Sequence, residues 1–183
     1  MPSKYAAFLR GVNLGRTRKI SSADLQSHFE AMGFEDVGTF RTSGNVVFAG
    51  ASGSEAKLVT RVEKALADAV GFDVTVFLRS DSEVNAIAAH QPFPAKEVEA
   101  SEGKLQVSIL PGKPSASARK QVLALATDRD RLAFGERELY WLPSGGILDT
   151  ELDLAAIEKL IGPSTRRTKG TIELLAEKFF GSG

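Results

Sequence analysis

Lys4-Tyr5-Ala6-Ala7-Phe8-Leu9-Arg10-Gly11-Val12-Asn13-Leu14-Gly15 opens the chain as an apolar run that breaks into a polar, glycine-bearing corner. Ser43-Gly44-Asn45-Val46-Val47-Phe48 is its counterpart, a polar corner leading into an apolar run. Lys4 to Leu9 reads as a strand, and Val37 to Thr42 with Asn45 to Ala49 reads as a hairpin around Ser43-Gly44. Between them Ser21-Ser22-Ala23-Asp24 resembles a capping box, Leu25, Phe29 and Met32 fall at helical spacing, and Gly33 closes the helix. Leu58, Val62, Leu66 and Ala69 mark a second helix ending at Gly71, and Val74 to Leu78 is a β-branched strand. Strand, helix, strand, strand, helix, strand is the order of a ferredoxin-like half.

The remainder follows a related plan. A helix capped by Ser80 or Asp81 carries Val84 and Ile87 and stops before Pro92 and Pro94. Leu105 to Leu110 alternates as a strand, and a helix begins near Ser115. Arg131 to Phe134 and Glu138 to Leu142 form a hairpin about Gly135. Two helices close the chain, around Leu154-Ile157-Leu160-Ile161 and Ile172-Leu175-Phe179, so the last strand of the first half has a helix in its place. The expected fold is α+β, with two ferredoxin-like (alpha-beta plait) subdomains on antiparallel sheets. Residues 1–80 form the first and 81–183 the second. No sequence repeat relates the halves, so duplication is a matter of topology only.

A chain of 183 residues, 43% hydrophobic and 25% charged, buries a real core over two small units. With no cysteine it makes no disulfide, thiolate metal site or cysteine nucleophile. Tyr5 to Leu9 is too short for a signal peptide, and no run approaches the ~20 apolar residues of a membrane span. A cytoplasmic, bacterial-type protein with no membrane partner is the simplest expectation, and its oligomeric state is not legible. Net charge is zero, against the basic excess usual in polyanion binders. Yet residues 1–20 hold Lys4, Arg10, Arg16, Arg18 and Lys19 without an acid, and residues 161–170 hold Arg166, Arg167 and Lys169.

LRGVNLGRTRKIS, TFRTSGNVVF, the Pro92-Phe93 pair and the tail YWLPSGGILDTELDLAAIEKLIG…TRRTKGT together resemble the family called domain of unknown function 1697. The resemblance spans nearly the whole chain and implies two alpha-beta plait subdomains, but brings no activity. The chain departs from the family pattern in two places. Thr168 and Lys169 stand where asparagine and tryptophan are common, and Arg16 replaces the second glycine of an Asn-x-Gly-Gly loop.

In such a half the first strand lies antiparallel beside the third, which brings the segment from Arg10 to Lys19 next to Thr42 to Asn45. Gly11, Gly15 and Gly44 would give close backbone access. Arg10, Lys19 and Arg41 would add positive charge, while Asn13, Ser43 and Asn45 would supply donors and acceptors. The helix starting at Ser21 would turn its positive end to the same edge. Arg167 would join from the C-terminal basic segment, capped at Thr168, if that segment is more than a solvated connector. These groups suit a small anion bearing phosphate or carboxylate, and at such a site electrostatic stabilisation of a phosphoryl or acyl group is the available chemistry. The other reading is architectural, with Asn13 in an Asx turn and Ser43-Gly44-Asn45 as a hairpin turn.

No general base is identifiable, so the sequence assigns no reaction. His28 and His90 have no ligand spacing, so neither metal nor cofactor is expected. Asp149, Glu151 and Asp153 gather at a helix start, where carboxylates serve the dipole. The glycines form neither a P-loop nor a dinucleotide fingerprint. A nucleic-acid module stacking bases on Phe8 and Phe48 is the rival reading, and a protein-interaction scaffold is the third.

Overall fold

Strand β1 (Lys4–Arg10) is an inner strand because Ala6, Ala7, Phe8 and Leu9 leave no polar face to water, and all four are buried. It is followed by α1 (Ser22–Ala31), β2 (Glu35–Thr39), β3 (Asn45–Ala49), α2 (Glu55–Val70) and β4 (Thr75–Ser80). The sheet order is β2-β3-β1-β4, and β1 runs antiparallel to both neighbours, with Phe8 opposite Asn45 and opposite Phe77. This is the expected ferredoxin-like half. The computed structural model describes residues 3–13 and 16–181. They divide into two units, those within 1–85 and 175–183 and those within 86–174.

The first core follows from the helical spacing. Leu25 and Phe29 of α1 and Leu58, Val62 and Leu66 of α2 pack on Ala7, Leu9, Val46, Phe48, Val76 and Leu78. Phe29, Phe34 and Phe48 pack ring to ring, with centroids 4.5 to 6.1 Å apart. Ser21 caps α1 by accepting from the Asp24 N–H at 3.0 Å, and the left-handed Gly71 closes α2. The hairpin strand stops at Thr39 rather than Thr42. Arg41 is left-handed, with φ 61°, and extended pairing cannot pass through that conformation. On the outer strand β4, the Val76 N–H donates to Glu63 Oε1 of α2 at 3.1 Å.

Then come α3 (Asp81–Ala89), α4 (Ala95–Ala100), β5 (Gln106–Ile109), α5 (Ala116–Leu123), β6 (Asp130–Phe134) and β7 (Glu138–Pro143). The chain ends with α6 (Leu154–Ile161), β8 (Thr165–Thr168) and α7 (Lys169–Phe180). Strand β8 corrects the expectation of a second half that lacks its fourth strand. Thr-Arg-Arg-Thr pairs antiparallel with β5, Arg167 opposite Val107, and the Lys169 N–H continues the ladder to the Leu105 carbonyl at 2.8 Å. The second sheet is ordered β6-β7-β5-β8, the topology of the first. Thr168 is the expected cap of α7, since its hydroxyl accepts from the Thr171 N–H at 3.2 Å.

The second core joins Val122 of α5, Ile157 of α6 and Leu152 to Leu139 and Trp141 of β7. Trp141, the chain's one tryptophan, donates its indole N–H to Asp130 Oδ1 at 2.8 Å, and both residues are buried. Asp130→Ala leaves that N–H buried without an acceptor. The substitution is expected to cost about 1–3 kcal/mol, read from urea unfolding followed by Trp141 fluorescence.

Candidate functional site

The corner after β1 and the β2–β3 turn meet as the topology requires. The Leu9 N–H donates to the Gly44 carbonyl at 2.8 Å, one residue beyond the β1–β3 ladder. Asn13 then fastens three segments. Its Nδ2 donates to the Thr42 carbonyl at 2.6 Å, its Oδ1 accepts from the Ile20 N–H at 2.9 Å, and its own N–H donates to the Arg18 carbonyl at 2.7 Å. Its φ of 55° is the left-handed conformation that asparagine tolerates. Asn45 does the same inside the hairpin. It is 1% exposed, and its Nδ2 donates to the Phe40 carbonyl at 2.8 Å and to Ser43 Oγ at 3.0 Å. Both amides therefore hold the backbone in place.

Gly44 has a φ of 85°, and a Cβ there would stand 2.8 Å from Val12 Cγ2 and 3.0 Å from Leu9 Cβ. The glycine is what lets the hairpin close on the end of β1. It follows from packing, and no ligand is needed to explain it.

Above this joint lies a cleft of about 310 Å³. Asn13, Gly44, the polar Lys19, Arg41 and Thr42, and the apolar Ile20 and Leu25 line it. Ser21 and Ser22, at the start of α1, complete the lining. The first-turn N–H groups of Ser22 and Ala23 have no intrahelical acceptor, as at every helix start, and the dipole adds positive potential. Lys19 and Arg41 are exposed, and among the described residues no acidic side chain lines the cleft. Two cations, a helix N-terminus and a threonine can together hold an anion's oxygens.

The expected residues fall into distinct places. Asn13, Lys19 and Gly44 line the cleft, whereas Ser43 sits at the turn beside it. Arg10 is half-buried at the end of β1 opposite Thr75, and Gly11 follows with a φ of 92°. Gly15 lies outside the described residues. Arg167 belongs to β8 in the other unit, where its Nη1 donates to Thr165 Oγ1 at 2.7 Å and to the Arg166 carbonyl at 2.9 Å. Burial pushes its guanidinium down to about 10, which leaves it charged at neutral pH. Thr42 and Ser22, which lie within the TFRTSGNVVF segment and the capping box, line the cleft as well, although nothing in the sequence assigns either a ligand role.

Phe8 and Phe48 are buried, at 0% and 1% exposure, so neither ring is open for a base to stack on. Asp153 caps α6 by accepting from the Ala156 N–H at 2.9 Å, the dipole-serving role expected of that acidic group. Among the described residues no cluster of His, Cys, Asp or Glu forms a metal-binding group, and no helix is long and apolar enough to cross a membrane.

A family model described as "Protein of unknown function (DUF1697)" matches residues 2–140. No curated protein matches the sequence. Among solved structures, a conserved bacterial protein from Streptococcus pneumoniae is similar over 97% of this chain and 98% of its own, with a TM-score of 0.73 and 21% identity. That likeness is one of fold. The joint itself yields a prediction. Gly44→Ala is expected to cost about 2–4 kcal/mol through strain and overlap, and Asn13→Ala about 1–2 kcal/mol through lost hydrogen bonds, both read from urea midpoints.

Proposed function

The chain belongs to the DUF1697 family, whose description carries no activity, and we propose that it binds a small phosphate- or carboxylate-bearing ligand in the cleft lined by Lys19, Arg41 and the start of α1. The observation that carries this reading is the lining charge. Lys19 and Arg41 line one concavity with the start of α1, and among the described residues no carboxylate lines it with them. The anion oxygens would take the first-turn N–H groups and the two cations, while Ile20 and Leu25 would meet the less polar part of the ligand. Asn13, Asn45 and Gly44 would act by holding the two loops together. Nothing in the lining is a general base, so the reading is one of binding, not of a named reaction.

The test is a thermal-shift comparison of the wild type with a Lys19→Ala/Arg41→Ala double variant. The ligands are inorganic phosphate, sugar phosphates, mononucleotides, small carboxylates and a short RNA oligonucleotide. A ligand at a hundred times its Kd adds about 2.7 kcal/mol, a rise of roughly several degrees for a chain of this size. The expected result is such a rise with one small anion, absent in the double variant. A rise with the oligonucleotide alone, falling steeply with salt, would replace this reading with a nucleic-acid module. No rise with any of them would return both corners to architecture.

A further inference from the structure

A second cleft, of about 230 Å³, lies wholly within the 86–174 unit, and it differs in kind from the first. Leu142, Pro143 and Ala100 give it an apolar wall. Its charged lining is balanced, Glu97 and Asp128 against Arg129 and Arg131. Two of the four are already engaged with each other. Arg131 pairs with Glu97, and its guanidinium lies 5.1 Å from the centroid of the buried Phe93 ring. Asp128 and Arg129 are exposed, and among the described residues neither side chain has an ion-pair partner. One unpaired charge of each sign therefore borders a short apolar wall.

The walls are built, not incidental. The Ser101 hydroxyl donates to the Pro143 carbonyl, and the Ser144 N–H donates to the Arg129 carbonyl at 2.7 Å. Gly103 packs so tightly that a Cβ there would stand 2.6 Å from Pro143 Cγ and 2.7 Å from the Gly145 carbonyl oxygen. Only glycine lets the segment before β5 close on the end of β7. Leu142, Pro143 and Ser144 line this concavity, and Phe93, far away in sequence, lies beneath the lining Arg131.

We propose that this cleft binds a small zwitterion with a short apolar group, in chemical class a free aliphatic α-amino acid. Arg129 takes the carboxylate, Asp128 takes the ammonium, and the side chain lies on Leu142, Pro143 and Ala100. A polyanion is disfavoured because Asp128 and Glu97 would face it. A purely apolar ligand is disfavoured because it would cover two charges without pairing them. The ligand therefore needs both signs, set close together at one end of an apolar body.

The experiment is an NMR titration of the full-length protein with L-leucine, 4-methylpentanoate and 3-methylbutylamine, the last two each retaining one of leucine's charges. The expected result is saturable leucine binding that shifts the amides of Ala100, Ser101, Leu142 and Ser144. Each analogue should bind at least about tenfold more weakly, as should leucine to Arg129→Ala and to Asp128→Ala. Both substituted side chains are exposed, and unchanged melting temperatures would show that the fold is kept. The Lys19→Ala/Arg41→Ala protein should bind leucine as the wild type does, so this result stands apart from the first cleft. No saturable leucine binding, equal binding of 4-methylpentanoate, or binding that survives both the Arg129 and Asp128 substitutions would overturn the proposal.

Discussion

The hydrogen bond from the Leu9 N–H to the Gly44 carbonyl decides where the first sheet stops and where its loops begin. It extends the pairing of β1 with β3 to the last residue but one of β1, and the chain turns away after Arg10. Gly11 and Asn13, both at positive φ, make that turn. With Asn13 hydrogen-bonded to Thr42 and Ile20, the start of α1 is drawn over the hairpin and the concavity between them is set. The cleft is a by-product of a joint. Its positive charge comes from the residues the joint leaves at the rim, Lys19 and Arg41, and not from the asparagines that make it.

That division explains how much was legible in the sequence. Helical spacing at Leu25–Phe29 and Leu58–Val62–Leu66 and the two-sided apolar run of Val46-Val47-Phe48 were enough to recover the first half, because each element declares which of its faces is buried. Strand β8 was hidden because Thr165-Arg166-Arg167-Thr168 carries no apolar residue. It is a strand through its ladder to β5, with Arg167 satisfied by Thr165 and by the neighbouring backbone, and Arg166 lying over Trp141 at 5.0 Å. A four-residue strand whose buried positions are the polar Thr165 and Arg167 leaves no apolar periodicity to read. The corners were legible as special, but their use was not. An asparagine beside a glycine looks the same whether its amide serves a ligand or a carbonyl of its own backbone. Only the partner positions of Thr42 and Phe40 separate the two.

Both halves arrive at one strand order with no sequence repeat between them. The shared constraint is topological: a split pair of βαβ units places the first strand inside, and in both halves that strand is largely buried. What differs is where each unit carries its cleft and with what charge: the first lies by the β2–β3 turn, the second by the start of β6 and the end of β7, the other end of the equivalent hairpin. In the first half basic residues crowd the segment after β1, and the cleft there is positive. In the second, aspartate, glutamate and two arginines share a rim. The same scaffold thus carries two clefts whose selectivities would be set by side chains that contribute little to the fold.

The carboxylate of Glu63 has a consequence beyond its own helix. Strand β4 is the outer member of the first sheet, and an outer strand offers its spare N–H groups to any passing chain. At Val76 that donor is already taken by Glu63 Oε1. The helix lying over the sheet thereby shields part of its rim, as an inward charge or a proline does elsewhere. A residue that reads as an ordinary polar position on an amphipathic helix thus occupies, at Val76, a donor that an added strand would otherwise use.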